Sequence, residues 1–151
     1  MIQTKKRLKL CNVLIVLLLV FIWGNSLLPG EVSRAFSDWV KELLSFFFSG
    51  TGSGREGGSG VLRKIAHFTE FTALGCLLCW RAGMLKKQRP VPILWGTMAA
   101  CVDECIQIFT PDRTPRVTDV LLDSCGVLTG LLLLNLGYNI FKKKTNELSG
   151  G

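Results

Sequence analysis

The sequence predicts an all-α membrane protein: a four-transmembrane-helix bundle with an amphipathic interfacial helix between spans one and two. Three observations carry that prediction. Of the 151 residues 48% are hydrophobic, and they arrive in four long blocks rather than spread at the period of a soluble fold. Lysine and arginine gather at the ends of those blocks. One further segment has helical periodicity but is too charged to span. A chain of this length is ordinarily one domain, which argues against a multidomain enzyme. The blocks themselves argue against a soluble globule, a disordered tail and a secreted disulfide scaffold.

Span one is placed at 10–28, behind the basic residues Lys5, Lys6, Arg7 and Lys9. A cleaved signal peptide competes for this segment. The apolar core is long, however, and Asn25 to Gly30 has no small-x-small cleavage pattern, so a retained anchor is expected. Pro29-Gly30 breaks the helix. Between 32 and 49, Val32, Phe36, Trp39, Val40, Leu43 and Phe47 recur at spacings of three and four, with Arg34, Asp38, Lys41 and Glu42 opposite. That pattern reads as a helix lying in the membrane interface. The glycine- and serine-rich stretch 50–60 reads as a flexible linker and is assigned no structure.

Spans two, three and four are placed at 62–80, 92–109 and 120–141. Trp23, Trp80 and Trp95 sit near span ends, where indole rings favour the interface. Strands are excluded because the runs are long and lack a period of two. The six cysteines (Cys11, Cys76, Cys79, Cys101, Cys105 and Cys125) all fall within apolar blocks, where packing is the expected role. Cys76 and Cys79 have CxxC spacing, but no second pair and no thioredoxin-like strand accompany them.

The net charge of +7 at pH 7 is a topological signal. Eleven of the 18 Lys and Arg residues lie before span one, between spans two and three (Arg81, Lys86, Lys87, Arg89), or after span four (Lys142, Lys143, Lys144). With four spans these regions share one side, so both termini are expected in the cytoplasm. No aromatic residues interleave with the basic ones to stack bases, so no nucleic-acid partner is expected. The lipid bilayer is the expected partner, and the sequence does not fix an oligomeric state.

This topology brings the intramembrane polar residues to one level. His67 and Glu70 open span two, Asp103, Glu104 and Gln107 close span three, and Asp119 and Asp123 open span four. Each lies within about 10 Å of its outer span end at 1.5 Å rise per residue. His67 and Glu70 are three apart, while Asp103–Gln107 and Asp119–Asp123 are four apart, so each pair shares a helix face. Gly126 and Gly130 continue the Asp119–Asp123 face as a GxxxG pair, and Gly96, Ala99 and Ala100 lie on the cytoplasmic side of Asp103. An ionised carboxylate in the membrane costs about 2.5–3.5 kcal/mol on insertion scales, so these acids need partners or water. Arg63, Lys64, Arg113 and Arg116 flank the cluster as neutralising charges. A polar pocket opening outward follows. The competing reading is that the same residues only join helices and reach to headgroups.

Three motifs in this order resemble the VanZ-like family of bacterial integral membrane proteins. They are Lys64, His67, Phe68, Glu70, Phe71, Leu74 and Gly75; then Asp103, Glu104, Gln107, Phe109, Pro111 and Arg113; then Asp119, Val120, Asp123, Gly126 and Gly130. Asn25-Ser26 looks like the family's first motif. The family usually has Asn where this chain has Asp123, and commonly Tyr where it has Phe71. The resemblance implies a single membrane domain over 1–151 in a bacterial cell membrane. It also implies a link to the family's founding member, which is associated with low-level resistance to the glycopeptide teicoplanin.

Two function classes then stand. In the first, Lys64, His67, Glu70, Asp103, Glu104, Gln107, Arg113, Arg116, Asp119 and Asp123 form a pocket. It holds a lipid headgroup, a lipid-linked cell-wall precursor or a lipoglycopeptide. In the second, the chain is a hydrolase or transferase acting on a lipid-linked substrate at the outer leaflet. His67 is then the acid or base, Glu70 or Asp103 orients it, and Arg113 and Arg116 clamp an anion. A metal-dependent variant would draw on His67, Glu70, Asp103, Glu104 and Asp123. The single His-x-x-Glu lacks the second histidine of zinc proteases, so no metal and no cofactor is expected. No serine elbow and no phosphate-binding P-loop is present. A transport or assembly role is the remaining alternative.

Overall fold

The structure is a computed structural model, and it describes residues 2–47, 58–85 and 90–149. Five helices account for the fold: α1 (Ile2–Ser26), α2 (Gly30–Phe47), α3 (Gly58–Met84), α4 (Pro90–Ile108) and α5 (Val117–Ser149). No strand is present among the described residues.

The ends of these helices have local causes. α1 begins well before 10 because the basic segment before it consists of competent helix formers. It stops at Ser26, with Leu27 N–H donating to Trp23 O and Leu28 N–H to Asn25 O, because Pro29 supplies no donor to continue it. α2 begins with Gly30, whose N–H donates to Pro111 O at 3.1 Å. A Cβ on Gly30 would collide with the carbonyl of Asp112, and Asp112 itself has φ 57°. Glycine is therefore required where these two turns meet. α3 starts at Gly58, inside the stretch expected to be linker. Residues 50–57, the rest of that linker, lie outside the described residues. α4 opens on Pro90, whose missing N–H costs nothing at a first helical position. α5 runs past 141 to Ser149, about 50 Å at 1.5 Å per residue.

α3 is the centre of the assembly: it packs on α1, α2, α4 and most extensively on α5. The α3–α5 contact depends on small residues. A Cβ on Gly126 would lie 2.7 Å from Phe68 O, and one on Gly130 or Gly75 would overlap backbone of the facing helix. Ile22, Phe71, Leu74, Ala99, Ala100, Val127 and Leu131 form the core between the helices.

The distribution of side chains is inverted relative to a soluble protein. Leu17, Val20, Phe21, Leu94, Leu121 and Leu132 are exposed, whereas Ser26, His67, Asp103, Gln107 and Asp123 are buried. Hydrocarbon, not water, suits that exterior. Among the described residues three helices are long and apolar enough to cross a membrane, over Gln3–Ser26, Pro90–Ile108 and Val117–Asn146. α3 is long enough, but His67, Glu70 and Arg81 lower its hydropathy below theirs. α2 carries Val32 and Trp39 exposed and Val40 half-buried, and it packs along α3.

Candidate functional site

The polar residues of three helices meet where α3 begins, α4 ends and α5 begins. Asp103 is fully buried, and its Oδ2 accepts a hydrogen bond from Gln107 Nε2, one turn along α4, at 2.9 Å. The same oxygen accepts from Ser26 Oγ at 2.9 Å, tying the end of α1 to α4. His67 Nδ1 lies 3.9 Å from Asp103 Oδ2 and 3.8 Å from Glu70 Oε2. Asn25 Nδ2 donates to the other Glu70 oxygen at 3.4 Å. Asp123 is buried beside this group, and its Oδ1 has no hydrogen-bond partner among the described residues.

The residues nearer the rim behave differently. Lys64 Nζ pairs with Asp119 Oδ1 at 3.0 Å, linking the starts of α3 and α5. Glu104 Oε2 accepts the backbone N–H of Arg116 at 2.7 Å and so fixes the turn that enters α5. Arg113, expected as part of an anion clamp, spends two of its three guanidinium nitrogens on backbone carbonyls. Its Nε and Nη2 donate to Leu28 O, and Nη2 also donates to Asn25 O, at 3.0–3.3 Å. Thr110 Oγ1 donates to Ser26 O at 3.1 Å. The last carbonyls of α1 have no partner within their helix, and a guanidinium and a hydroxyl satisfy them. Burial lowers the Arg113 pKa from its ordinary value, with the neighbouring Arg63 acting in the same sense.

Three spaces adjoin this cluster. Among His67, Glu104, Gln107 and Asp123 is a void of about 10 Å³, room for about one water. Arg63, Lys64 and Asp119 line both that void and a larger opening of about 210 Å³, whose other walls include Arg34 and Arg116. Among the described residues, Lys64–Asp119 is the ion pair at this mouth, and the three guanidinium groups form none. An apolar groove of about 420 Å³ lies between α1, α2 and α3, walled by Phe21, Leu28, Val32, Val40, Leu62 and Ile65. Ser33 and Arg63 border both the mouth and the groove, and Glu70 and Asn25 edge the groove.

Of the residues expected to form a pocket, Lys64, His67, Glu104, Gln107, Asp119 and Asp123 line the inner void. Asp103 adjoins it through His67 and Gln107, Glu70 faces both His67 and the groove, and Arg116 lines the mouth. Asn25, Ser26 and Arg34 were not in that expected set. The signal for Asn25 and Ser26 was available, since they are the polar residues at the C-terminal end of the first apolar block. Arg34 stands on the polar side of an amphipathic helix, and its position depends on how that helix docks.

His67, Asp103 and Asp123 each offer one ligand atom, and these atoms all lie within 4.8 Å of one another, a grouping able to hold a metal ion. The cysteines take no part: all six are free, and Cys76 Sγ donates to Gly130 O at 3.3 Å. A family model described as VanZ/LLP1 matches residues 11–140. The chain matches no curated protein and no solved structure.

Proposed function

The chain belongs to the VanZ-like family, and from that premise we propose a four-span membrane protein whose outward-facing pocket binds the headgroup of a membrane amphiphile. The ligand is a lipid, a lipid-linked cell-wall precursor or a lipoglycopeptide. α3 is the fourth span: its polar residues face partners on α1, α4 and α5 rather than hydrocarbon, which offsets its lower hydropathy. The basic segments put both termini in the cytoplasm and α2 at the outer interface.

One observation carries this reading. A mouth with three guanidinium groups that form no ion pair among the described residues is contiguous, through Ser33 and Arg63, with a groove walled by apolar side chains. That juxtaposition matches an anionic headgroup joined to an acyl or prenyl chain. His67, Glu70 and Asp103 fix the floor beneath it.

The founding member's association with teicoplanin supplies a cellular test. His67→Ala, Glu70→Ala and Asp103→Ala are expressed singly in a sensitive host, with membrane abundance followed in parallel. Each is expected to lose the wild-type effect on teicoplanin susceptibility while remaining in the membrane. Retention of the full effect by all three would overturn the reading.

A second reading, catalysis on a lipid-linked substrate, is favoured by His67 lying between two carboxylates at 3.8 and 3.9 Å. Lipid mass spectrometry of expressing and deleted cells separates the two. Unchanged headgroup profiles support binding, and a lipid species that disappears with expression supports an enzyme.

A further inference from the structure

We infer that His67, Asp103 and Asp123 form a binding site for a borderline divalent cation of the Zn²⁺ or Mn²⁺ type. The inference goes beyond the amphiphile reading and does not depend on which headgroup enters the mouth.

The three ligands come from α3, α4 and α5, so their meeting is a tertiary arrangement and not a local sequence cluster. Their exposures are 7%, 0% and 2%, and their ligand atoms lie within 4.8 Å of one another. Metal–nitrogen and metal–oxygen bonds of about 2.0–2.2 Å require donors roughly 3–4 Å apart, so closure by about 1 Å completes the geometry. Rotation of a carboxylate or of the imidazole supplies that closure.

An independent observation points the same way. Both ring nitrogens of His67 lack hydrogen-bond partners, as do Oδ1 of Asp103, Oδ1 of Asp123, Oε2 of Glu70 and Oε1 of Gln107. Buried polar atoms are ordinarily satisfied, and six in one place are expensive. Several are acceptors only, and no protein donor among the described residues reaches them. Arg113 gives Nε and Nη2 to the carbonyls of Asn25 and Leu28, its Nη1 hydrogen-bonds to none of these acceptors, and Lys64 pairs with Asp119. Among the described residues Asp103 and Asp123 form no ion pair with a lysine or arginine, and two such carboxylates in the interior of a bundle favour positive charge at that spot. A divalent ion supplies it and satisfies the orphaned acceptors together.

The ligand set also selects among ions. One imidazole and two carboxylates, without thiolate or thioether, suit Zn²⁺ and Mn²⁺ better than Cu⁺, and the nitrogen disfavours Ca²⁺. The void of about 10 Å³ at His67, Gln107 and Asp123 has the size of one ion or one water. Arg63, Lys64 and Asp119 border both this void and the mouth, so the site lies next to that opening.

The test uses the full-length protein purified in detergent, stripped with chelator and titrated with MnCl₂ or ZnCl₂ alone. Elemental analysis is expected to give one equivalent per chain, with a rise in the thermal unfolding midpoint. Pulsed electron paramagnetic resonance of the Mn²⁺ form is expected to show coupling to an imidazole nitrogen. His67→Ala and Asp123→Asn should each weaken binding by at least about tenfold, whereas Glu31→Gln, an exposed carboxylate on α2 outside the cluster, should not. The wild-type resonance decides the matter if the variants fail to fold. Absence of stoichiometric binding by the wild type, binding without nitrogen coupling, or equal affinity in Asp123→Asn would each overturn the inference.

Discussion

Alanine at Gly126 should destabilise the protein, and alanine at Gly137, eleven residues along the same helix, should not. A Cβ on Gly126 would stand 2.7 Å from the carbonyl oxygen of Phe68, 3.2 Å from Phe71 Cβ and 3.3 Å from Thr72 N, where ordinary contact begins at 3.4 Å. The nearest atom is backbone of α3, so relief requires the two helices to part by about 0.7 Å along their largest interface. Overpacking of this kind costs about 1–3 kcal/mol. The gain in helix propensity from glycine to alanine, about 0.8–1.0 kcal/mol, offsets part of it. Gly126→Ala should therefore lose up to about 2 kcal/mol net. A Cβ on Gly137 meets nothing within 4 Å, so Gly137→Ala should keep the propensity gain and be neutral or stabilising. Unfolding midpoints of the detergent-purified variants, followed by circular dichroism, give the comparison. Equal midpoints for Gly126→Ala and Gly137→Ala, or a higher one for Gly126→Ala, would refute the α3–α5 packing described above.

Three further predictions concern the supports of the site and its orientation. Arg113→Ala removes the side-chain donors to Leu28 O and leaves Asn25 O with the Leu28 N–H alone, and it should lower stability by about 1–3 kcal/mol. Arg113→Lys should recover only part of that loss, because an ammonium lacks the guanidinium fork. Ser26→Ala leaves Asp103 Oδ2 with Gln107 alone and should cost about 1–3 kcal/mol in the same unfolding assay. In a cysteine-free background, Thr114→Cys should react in intact cells with a thiol reagent excluded from the cytoplasm, and Lys144→Cys should not. The reverse labelling pattern would invert the proposed topology.

The helices were legible in the sequence because apolar blocks, prolines and charge runs are local signals. Pro29 ends α1 near the expected position, and Pro90 opens α4 within two residues of it. The convergence of His67, Asp103 and Asp123 was legible too, since an alternating helical topology brings the start of α3, the end of α4 and the start of α5 to one level. What each polar side chain bonds to was not legible. Arg113 reads as a pocket cation; that two of its nitrogens also go to backbone carbonyls at the end of α1 depends on how the loop after α4 folds back. Ser26 reads as the tail of an apolar block, yet it is fully buried against Asp103 because α1 lies beside α4. The start of α3 at Gly58 also ran against composition. A helix's first turn spends its N–H groups on no intrahelical partner, so glycine and serine are tolerated there.

The most direct test of the account is selective binding of an anionic amphiphile at the cationic mouth. Native mass spectrometry of the purified protein, titrated with phosphatidylglycerol or phosphatidylcholine, reads it out for the wild type and for an Arg63→Ala/Arg116→Ala variant. Two charge-assisted contacts predict a preference of at least about tenfold for phosphatidylglycerol in the wild type, lost in the variant. Equal binding of both lipids by the wild type, or an unchanged preference in the variant, would contradict the pocket.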